Sequence, residues 1–504
     1  MISFSAFMAG LSIIADPYNL LLIFAGLLIG TIIGILPGIG ATMTIALLLP
    51  FTMVMDPIPA LSLLLAIYCS NAFAGAISAI LLNVPGSAAA VVTCLDGYPL
   101  AKRGEAGRAL GIATVASTIG GIFSTLVFIA GAPLLAGIAY QFGPPEYFAL
   151  TVFGLALVAS ISTESSTLKN LFGATLGLLL ATVGMDFTTA AQRFTFGSVD
   201  LMDGIQVVPV LIGLFAITEL LSQSQVAHLA VERLTMNAMK LPSWADYKRI
   251  WKILFGSSTI GTVVGVLPGE GGTVSSLIAY SEARRWSRRP DEFGKGSIEG
   301  LTAAEAANNA AIGGALIPTL ALGIPGGSVT AVILVGLTAQ GVRPGPYLFE
   351  QQPHFIYAIF AILMLANVLW LGLGMIGAKV FARLTFVPPA LLWPSVFLIS
   401  VVGAYSLDQS MFDVWTMLAA GVIGFVLRRF GFSVIPIAMG MILGTILENS
   451  LKQSMIIFSK DWTMFFDRPL VVLFFLCAFA ASCGPTIARM LSSAIRAKRA
   501  ANSS

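Results

Sequence analysis

Apolar runs long enough to cross a bilayer recur along this chain, and two of them are broken by nearly the same sequence, GILPGIG at 34–40 and GVLPGEG at 265–271. A helix needs ~20 apolar residues to span the hydrocarbon, and the runs at 110–135, 355–378 and 470–488 supply about that length. The 504 residues are 57% hydrophobic and 10% charged, against about 25% charged in a soluble domain. Too few polar groups remain to coat a water-soluble globule. The runs lack the alternating polarity of short strands that a transmembrane barrel requires. The sequence therefore predicts an all-α polytopic membrane protein. Residues 1–15 carry no basic n-region, so they read as a short interfacial helix rather than a cleaved signal. The four cysteines lie in apolar surroundings without a Cys-x-x-Cys pair, and His228 and His354 are far apart in sequence. No cofactor is expected, and no metal other than a coupling sodium.

The broken runs belong to a duplication. Residues 29–42 and 260–273 agree at nine of 14 positions. Further matches follow in order: Asn83-Val-Pro-Gly-Ser87 with Gly323-Ile-Pro-Gly-Gly327, Gly143-Pro-Pro145 with Val387-Pro-Pro389, and Pro209-x3-Gly213-x4-Thr218 with Pro436-x3-Gly440-x4-Thr445. Lys and Arg mark the cytoplasmic side. The charge map that results places all but five of the 27 basic residues inside, the exceptions being Arg193, Arg343, Lys452, Lys460 and Arg468. Loops that correspond in the two copies then fall on opposite sides, so the repeats are expected to be inverted. The expected layout is an N-terminal interfacial segment (1–18), repeat one (19–230), a cytoplasmic linker (231–250), inverted repeat two (251–468), and an extra transmembrane helix with a basic tail (469–504). The N-terminus is placed outside and the C-terminus inside. Inverted repeats point to a secondary transporter with its site at the repeat interface.

The breaks say what that site is made of. Residues 20–36 nearly span the membrane, but the return arm at 41–51 is only ~17 Å of helix. Each copy is thus expected to hold a re-entrant helical hairpin, with arms at 253–267 and 273–280 in the second. A second break, at Val84-Pro85-Gly86 and Ile324-Pro325-Gly326, makes a discontinuous helix in each copy. Pro ends a helix and Gly admits positive φ. Exposed backbone is tolerated in a membrane only against protein or a wet cavity. Helix N-termini favour an anion, and free carbonyls favour Na⁺. No strand precedes these glycines and no Walker Lys follows, which excludes a nucleotide loop.

Candidate substrate-binding residues are Gly38, Gly40, Thr42, Asn71, Asn83, Pro85, Gly86, Ser87, Gly269, Gly271, Thr273, Asn308, Asn309, Pro325, Gly326, Gly327 and Ser328. Neutral amides and hydroxyls can bind a carboxylate and release it again. Glu270, at the second hairpin tip, and Glu305, one turn before Asn308 and Asn309, are candidates for the coupling ion, Na⁺ or H⁺, because intramembrane acids are costly. Glu299 reads equally as part of the loop with Lys295. Arg193-Phe-Thr-Phe-Gly197, in an outside segment of the first copy alone, suggests an interfacial element that receives a partner. The spans hold no Asp-rich metal motif, His cluster or nucleophile–base pair, so an enzyme is not expected. Secondary uptake of a small organic anion is the leading reading, with an ion or solute channel of the same architecture as the alternative.

LPGIGAT at 36–42, LDGYPLAKRGEAGRALG at 95–111, LPGEGGT at 267–273, the run 303–326 and RFTFG at 193–197 resemble the large membrane subunit of tripartite tricarboxylate transporters, TctA-type. The resemblance covers nearly the whole chain. It implies a multi-pass subunit of the bacterial inner membrane working as a cation symporter. Its partners would be a small TctB-like membrane subunit and a periplasmic TctC-like solute-binding protein that delivers a carboxylate, commonly citrate. Similarity to other inverted-repeat carboxylate carriers implies an elevator-type motion. No nucleic-acid partner is expected, and the oligomeric state stays open, a homo-oligomer included.

Overall fold

The structure is a computed structural model that describes every residue except 1–3, 37, 162–165, 187–188, 224–239, 270, 385–388 and 484–504. In chain order its helices are α1 (Phe4–Ile14), α2 (Pro17–Gly34), α3 (Ala41–Thr52), α4 (Pro57–Leu82), α5 (Val91–Leu100), α6 (Ala106–Ala139), α7 (Pro144–Ile161), α8 (Thr167–Ala181), α9 (Val207–Ile212) and α10 (Thr218–Gln223). Then come α11 (Trp244–Val266), α12 (Gly271–Trp286), α13 (Ile298–Leu322), α14 (Ser328–Ala339), α15 (Pro346–Gln351), α16 (Pro353–Leu384), α17 (Pro389–Asp408), α18 (Met411–Arg429) and α19 (Ile435–Ile457). The last is α20 (Pro469–Cys483). A short antiparallel ribbon pairs β1 (Gly184–Met185) with β2 (Gln192–Arg193). Among the described residues, five helical segments are long and apolar enough to cross a membrane. The protein is a predominantly α-helical, multi-pass membrane protein.

Local sequence explains where helices start and stop. Proline opens α2 and α4 in the first turn, where no intrahelical N–H is needed. The sequence places the outgoing arm at 253, yet α11 begins at Trp244. There Ser243 and Asp246 cap each other's backbone N–H groups, which fixes the start ahead of the apolar pattern. Likewise α12 runs on past 280 to Trp286, with Arg284 and Arg285 in its last turn, where cations suit the helix dipole. Helix α4 ends at Asn83, φ +56°, and α13 ends at Gly323, φ +71°. Both are left-handed caps of the kind Gly and Asn tolerate best.

The chain forms two compact units: Met1–Tyr140 with Val208–Phe425, and Gln141–Val207 with Val426–Ser504. In the first, α4 and α13 are buried on nearly every face, as expected for helices that are apolar or small all round. Helix α2 lies on α4 and α11 lies on α13 by way of glycines. A Cβ at Gly34 would meet the Asn71 side chain at 2.9 Å, and one at Gly265 would meet the Ala311 carbonyl oxygen at 2.5 Å. These glycines hold matching positions in the duplicated stretches. Helix α1 packs through Phe7 and Gly10 on Tyr357 of α16. Helix α18 packs on the stretch that joins α9 to α10, with Gly213 against the Met417 backbone.

In the second unit, α8 and α19 pack through Gly177 and Gly440. Ala149, Phe458, Phe465 and Val471 form its apolar centre. Arg468 bonds Glu146 at 2.9 Å, and Glu146 also accepts the Gly143 N–H at 2.8 Å, which pins the start of α7.

Candidate functional site

In the first unit, four helices begin at one cavity of about 200 Å³. Helix α3 contributes Gly40, Ala41 and Thr42, and α12 contributes Gly271, Gly272 and Thr273. Helix α14 contributes Ser328 and Val329 behind Gly327, and the single turn Ala88–Ala90 that leads into α5 contributes Ala88 and Ala89 behind Ser87. Every one of these starts follows a Pro-Gly break. The first N–H groups of a helix have no intrahelical partner, and each N-terminus carries roughly half a positive charge. The described lining includes no Lys, Arg, Asp or Glu. Among the described residues, the positive character of the wall thus comes from its backbone.

Hydroxyls and amides complete the wall. Thr42 Oγ1 and Ser328 Oγ, from the two copies, lie 2.9 Å apart. Asn71 donates to Thr44 Oγ1 at 3.3 Å, and Asn308 donates to the Ala72 carbonyl at 2.9 Å. The Gly269 N–H donates to the Gly326 carbonyl at 3.1 Å, stitching the second tip to the second helix break. Thr319 Oγ1 accepts the Gly326 N–H at 3.2 Å. Ser87 Oγ is buried with no protein partner. A buried orphan hydroxyl is costly unless something else bonds it.

Of the residues expected from sequence, Gly40, Thr42, Asn71, Ser87, Gly269, Gly271, Thr273, Asn308, Gly326, Gly327 and Ser328 line the cavity. Gly38, Asn83, Pro85, Gly86, Asn309 and Pro325 are not among its lining residues. Several have other work. Asn83 is the left-handed cap of α4. Gly86 packs tightly on the Gly34 carbonyl and Gly75. Gly38, φ +85°, sits against the Glu219 and Gln223 side chains. Asn309 donates back to the Glu305 carbonyl at 3.2 Å. Pro37 and Glu270 lie outside the described residues.

Glu305 is fully buried. Thr93 donates to one carboxyl oxygen and Ser117 to the other, the latter at 2.9 Å. The acid thus ties α13 to α5 and α6, one turn from Asn308 in the cavity wall. Glu299 is drawn into an ion pair with Arg249 at 2.7 Å and accepts from Ser287. It belongs to the loop network rather than to the cavity.

Sequence reasoning missed Tyr68 and Gly272 in the lining, and Thr93 and Ser117 beside Glu305. Tyr68 was findable, since it stands three residues before Asn71 on one face of α4. Thr93 and Ser117 were not, because their meeting with Glu305 is long-range. Asp96 was missed too. It is fully buried and accepts from the N–H groups of Gly296 and Ser297 at 2.8 and 2.7 Å, and from the Tyr280 hydroxyl at 2.9 Å. It clamps the entrance to α13.

A family model described as "Tripartite tricarboxylate transporter TctA family" matches residues 20–439. A protein of Agrobacterium vitis described as an uncharacterized 52.8 kDa protein in the TAR-I ttuC' 3'region is 38% identical over 486 residues, covering 96% of this chain and 95% of that relative. A second protein of the same organism, described as lying in the TAR-II ttuC' 3'region, is 36% identical over 210 residues, covering 42% of this chain and 87% of that relative. No solved structure matches.

Proposed function

The chain belongs to the tripartite tricarboxylate transporter TctA family, and we propose that it carries a small organic di- or tricarboxylate, such as citrate, inward across the bacterial inner membrane by cation symport. The family is a transporter component within a three-part system with TctB and TctC partners. In this reading a periplasmic TctC-like protein delivers the substrate and a small TctB-like membrane subunit accompanies the chain.

One observation carries the proposal: four helix N-termini meet at a cavity whose described lining holds no charged side chain. Fixed N–H dipoles attract carboxylates, and without Arg or Lys the grip stays weak enough for release. The matching glycine contacts of α2 on α4 and of α11 on α13 support the inverted-repeat reading, with re-entrant hairpins at the two tips. So does the pairing of Gly213 with the Met417 backbone and of Gly440 with the Ala174 backbone, since these glycines are matched in the duplication. All the lining residues lie within one compact unit. A site held by a single body suits an elevator-type motion. Glu305, one turn from the wall, and Glu270 are assigned to the coupling ion, Na⁺ or H⁺.

The test is uptake of labelled carboxylates into proteoliposomes holding the chain with its partner subunits, under imposed Na⁺ or pH gradients. Saturable uptake that stops when the gradient collapses is expected. Uptake that neither saturates nor depends on a cation gradient would indicate a channel, and absence of carboxylate uptake under every gradient sinks the assignment.

A further inference from the structure

Within the second unit, the β1–β2 ribbon is fastened to α19 by four charges. Arg193 bonds both carboxyl oxygens of Glu448, and Lys452 bonds Asp186 at 2.6 Å and Glu448 at 2.5 Å. The two cations and two anions balance. Immediately beyond this anchor the chain runs Phe194-Thr195-Phe196-Gly197. Thr195 is 5% exposed, whereas Phe194 is 52% and Phe196 90% exposed, with Val199 at 75%. Both rings are turned outward by backbone in the left-handed region, φ +53° at Phe194 and +48° at Phe196. That conformation is disfavoured for any residue but glycine, least so for Asn and Asp. A chain under no demand to show two aromatic rings could bury them or place Gly there.

The surroundings select the occupant. A charged quartet at the base, and the exposed acids Asp200 and Asp203 just past the rings, do not belong in hydrocarbon. The same acids repel anionic lipid headgroups, and a second copy would bring like charge against like. What fits is a water-soluble protein with an apolar pocket rimmed by Lys or Arg. We propose that Phe194 and Phe196 form a two-ring prong on which the soluble, substrate-carrying subunit of the tripartite system docks. The proposal rests on the functional reading above, and it adds the place of contact and its chemistry. Exposed aromatics entering a pocket are the residues on which interfaces depend most.

The experiment titrates purified, citrate-loaded soluble subunit onto proteoliposomes of the complete complex and reads the half-saturating concentration for uptake. For Phe194→Ala/Phe196→Ala that concentration rises about 30-fold, while the plateau rate holds. For Asp200→Lys/Asp203→Lys it rises about tenfold, and the salt dependence of docking is lost. Phe196→Trp stays near wild type. All these side chains are exposed, so folding is unaffected. An unchanged half-saturating concentration in both double variants overturns the proposal. So does loss of the small membrane subunit from the purified complex, which would make the prong a membrane-assembly contact, or a defect that follows anionic-lipid content instead of soluble subunit. Direct binding of the soluble subunit to detergent-purified complex separates the two readings. If wild type imports nothing yet binds through the prong, only the transport assignment fails.

Discussion

Asn308 and Asn309 adjoin in sequence but do different work. Asn308 lines the cavity and holds the Ala72 carbonyl; Asn309 bonds back along its own helix. Asn308→Ala is therefore expected to raise the KM for carboxylate uptake about tenfold, the worth of a hydrogen bond to a charged group. Asn309→Ala should leave KM within about twofold on the same grounds. Equal effects in an uptake assay would contradict the placement. Ser87 allows a complementary test. Its hydroxyl is buried without a protein partner, so removing it relieves an unmet need in the empty protein. Ser87→Ala should leave the unfolding temperature level or slightly higher while weakening carboxylate binding several-fold. A variant less stable without ligand would show that the hydroxyl serves the fold.

Among elements, the glycine-mediated contacts are the most exacting. Gly265 brings α11 so close to α13 that a Cβ meets the Ala311 carbonyl oxygen at 2.5 Å. Gly265→Leu should destabilise the protein by about 1–3 kcal/mol or prevent its accumulation, seen by thermal unfolding and size-exclusion of the purified chain. Near-normal stability would mean that α11 can stand off. The ends of α2, α4 and α13 and the start of α3 were legible in the sequence because Pro-Gly pairs interrupt a helix locally, whereas single prolines do not: Pro50 and Pro318 lie inside α3 and α13. Asn83 shows why a site residue is hard to read from sequence: a polar amide near a break and a left-handed helix cap look alike until φ is known. The start of α11 was misplaced because apolar periodicity is silent about a capping box ten residues upstream. The partners of Glu305 and the role of Asp96 lay beyond reach, since each joins residues that lie about 190–210 positions apart in the chain. The cavity was half legible: the broken ends were marked, but not which end of each helix faces inward.

At the scale of the whole molecule, two kinds of electrostatics are kept apart. Many side-chain charges sit in ion pairs near loops and helix ends, as where Arg249 bonds Glu292 at 2.5 Å and Glu299 at 2.7 Å, while Glu305 lies within α13. The Arg249 guanidinium, with Arg289 beside it, holds the Glu292 carboxyl below its ordinary value. A lowered folded value means that the pair stabilises the protein above the unfolded pKa of about 4.3, and that this contribution is lost as pH falls through the folded value. Glu292→Gln should thus lower the unfolding temperature at pH 7, by the equivalent of at most about 1 kcal/mol for a partly exposed pair. The gap to wild type should close below about pH 4, as followed by thermal scans across pH. A gap that widened in acid would reverse the sign assigned to this pair.

The carboxylate site proposed above obeys a different rule, because helix N-termini and no described charged side chain line its cavity. Amino-acid replacement changes side chains and leaves peptide groups where they are. On that proposal, bulking or trimming small neighbours such as Ala72, Ala89, Ala311 and Ala315 would change which carboxylate fits while leaving the helix N-termini in place. In that site the backbone carries the larger share of the electrical preference, and the small side chains are where shape can change.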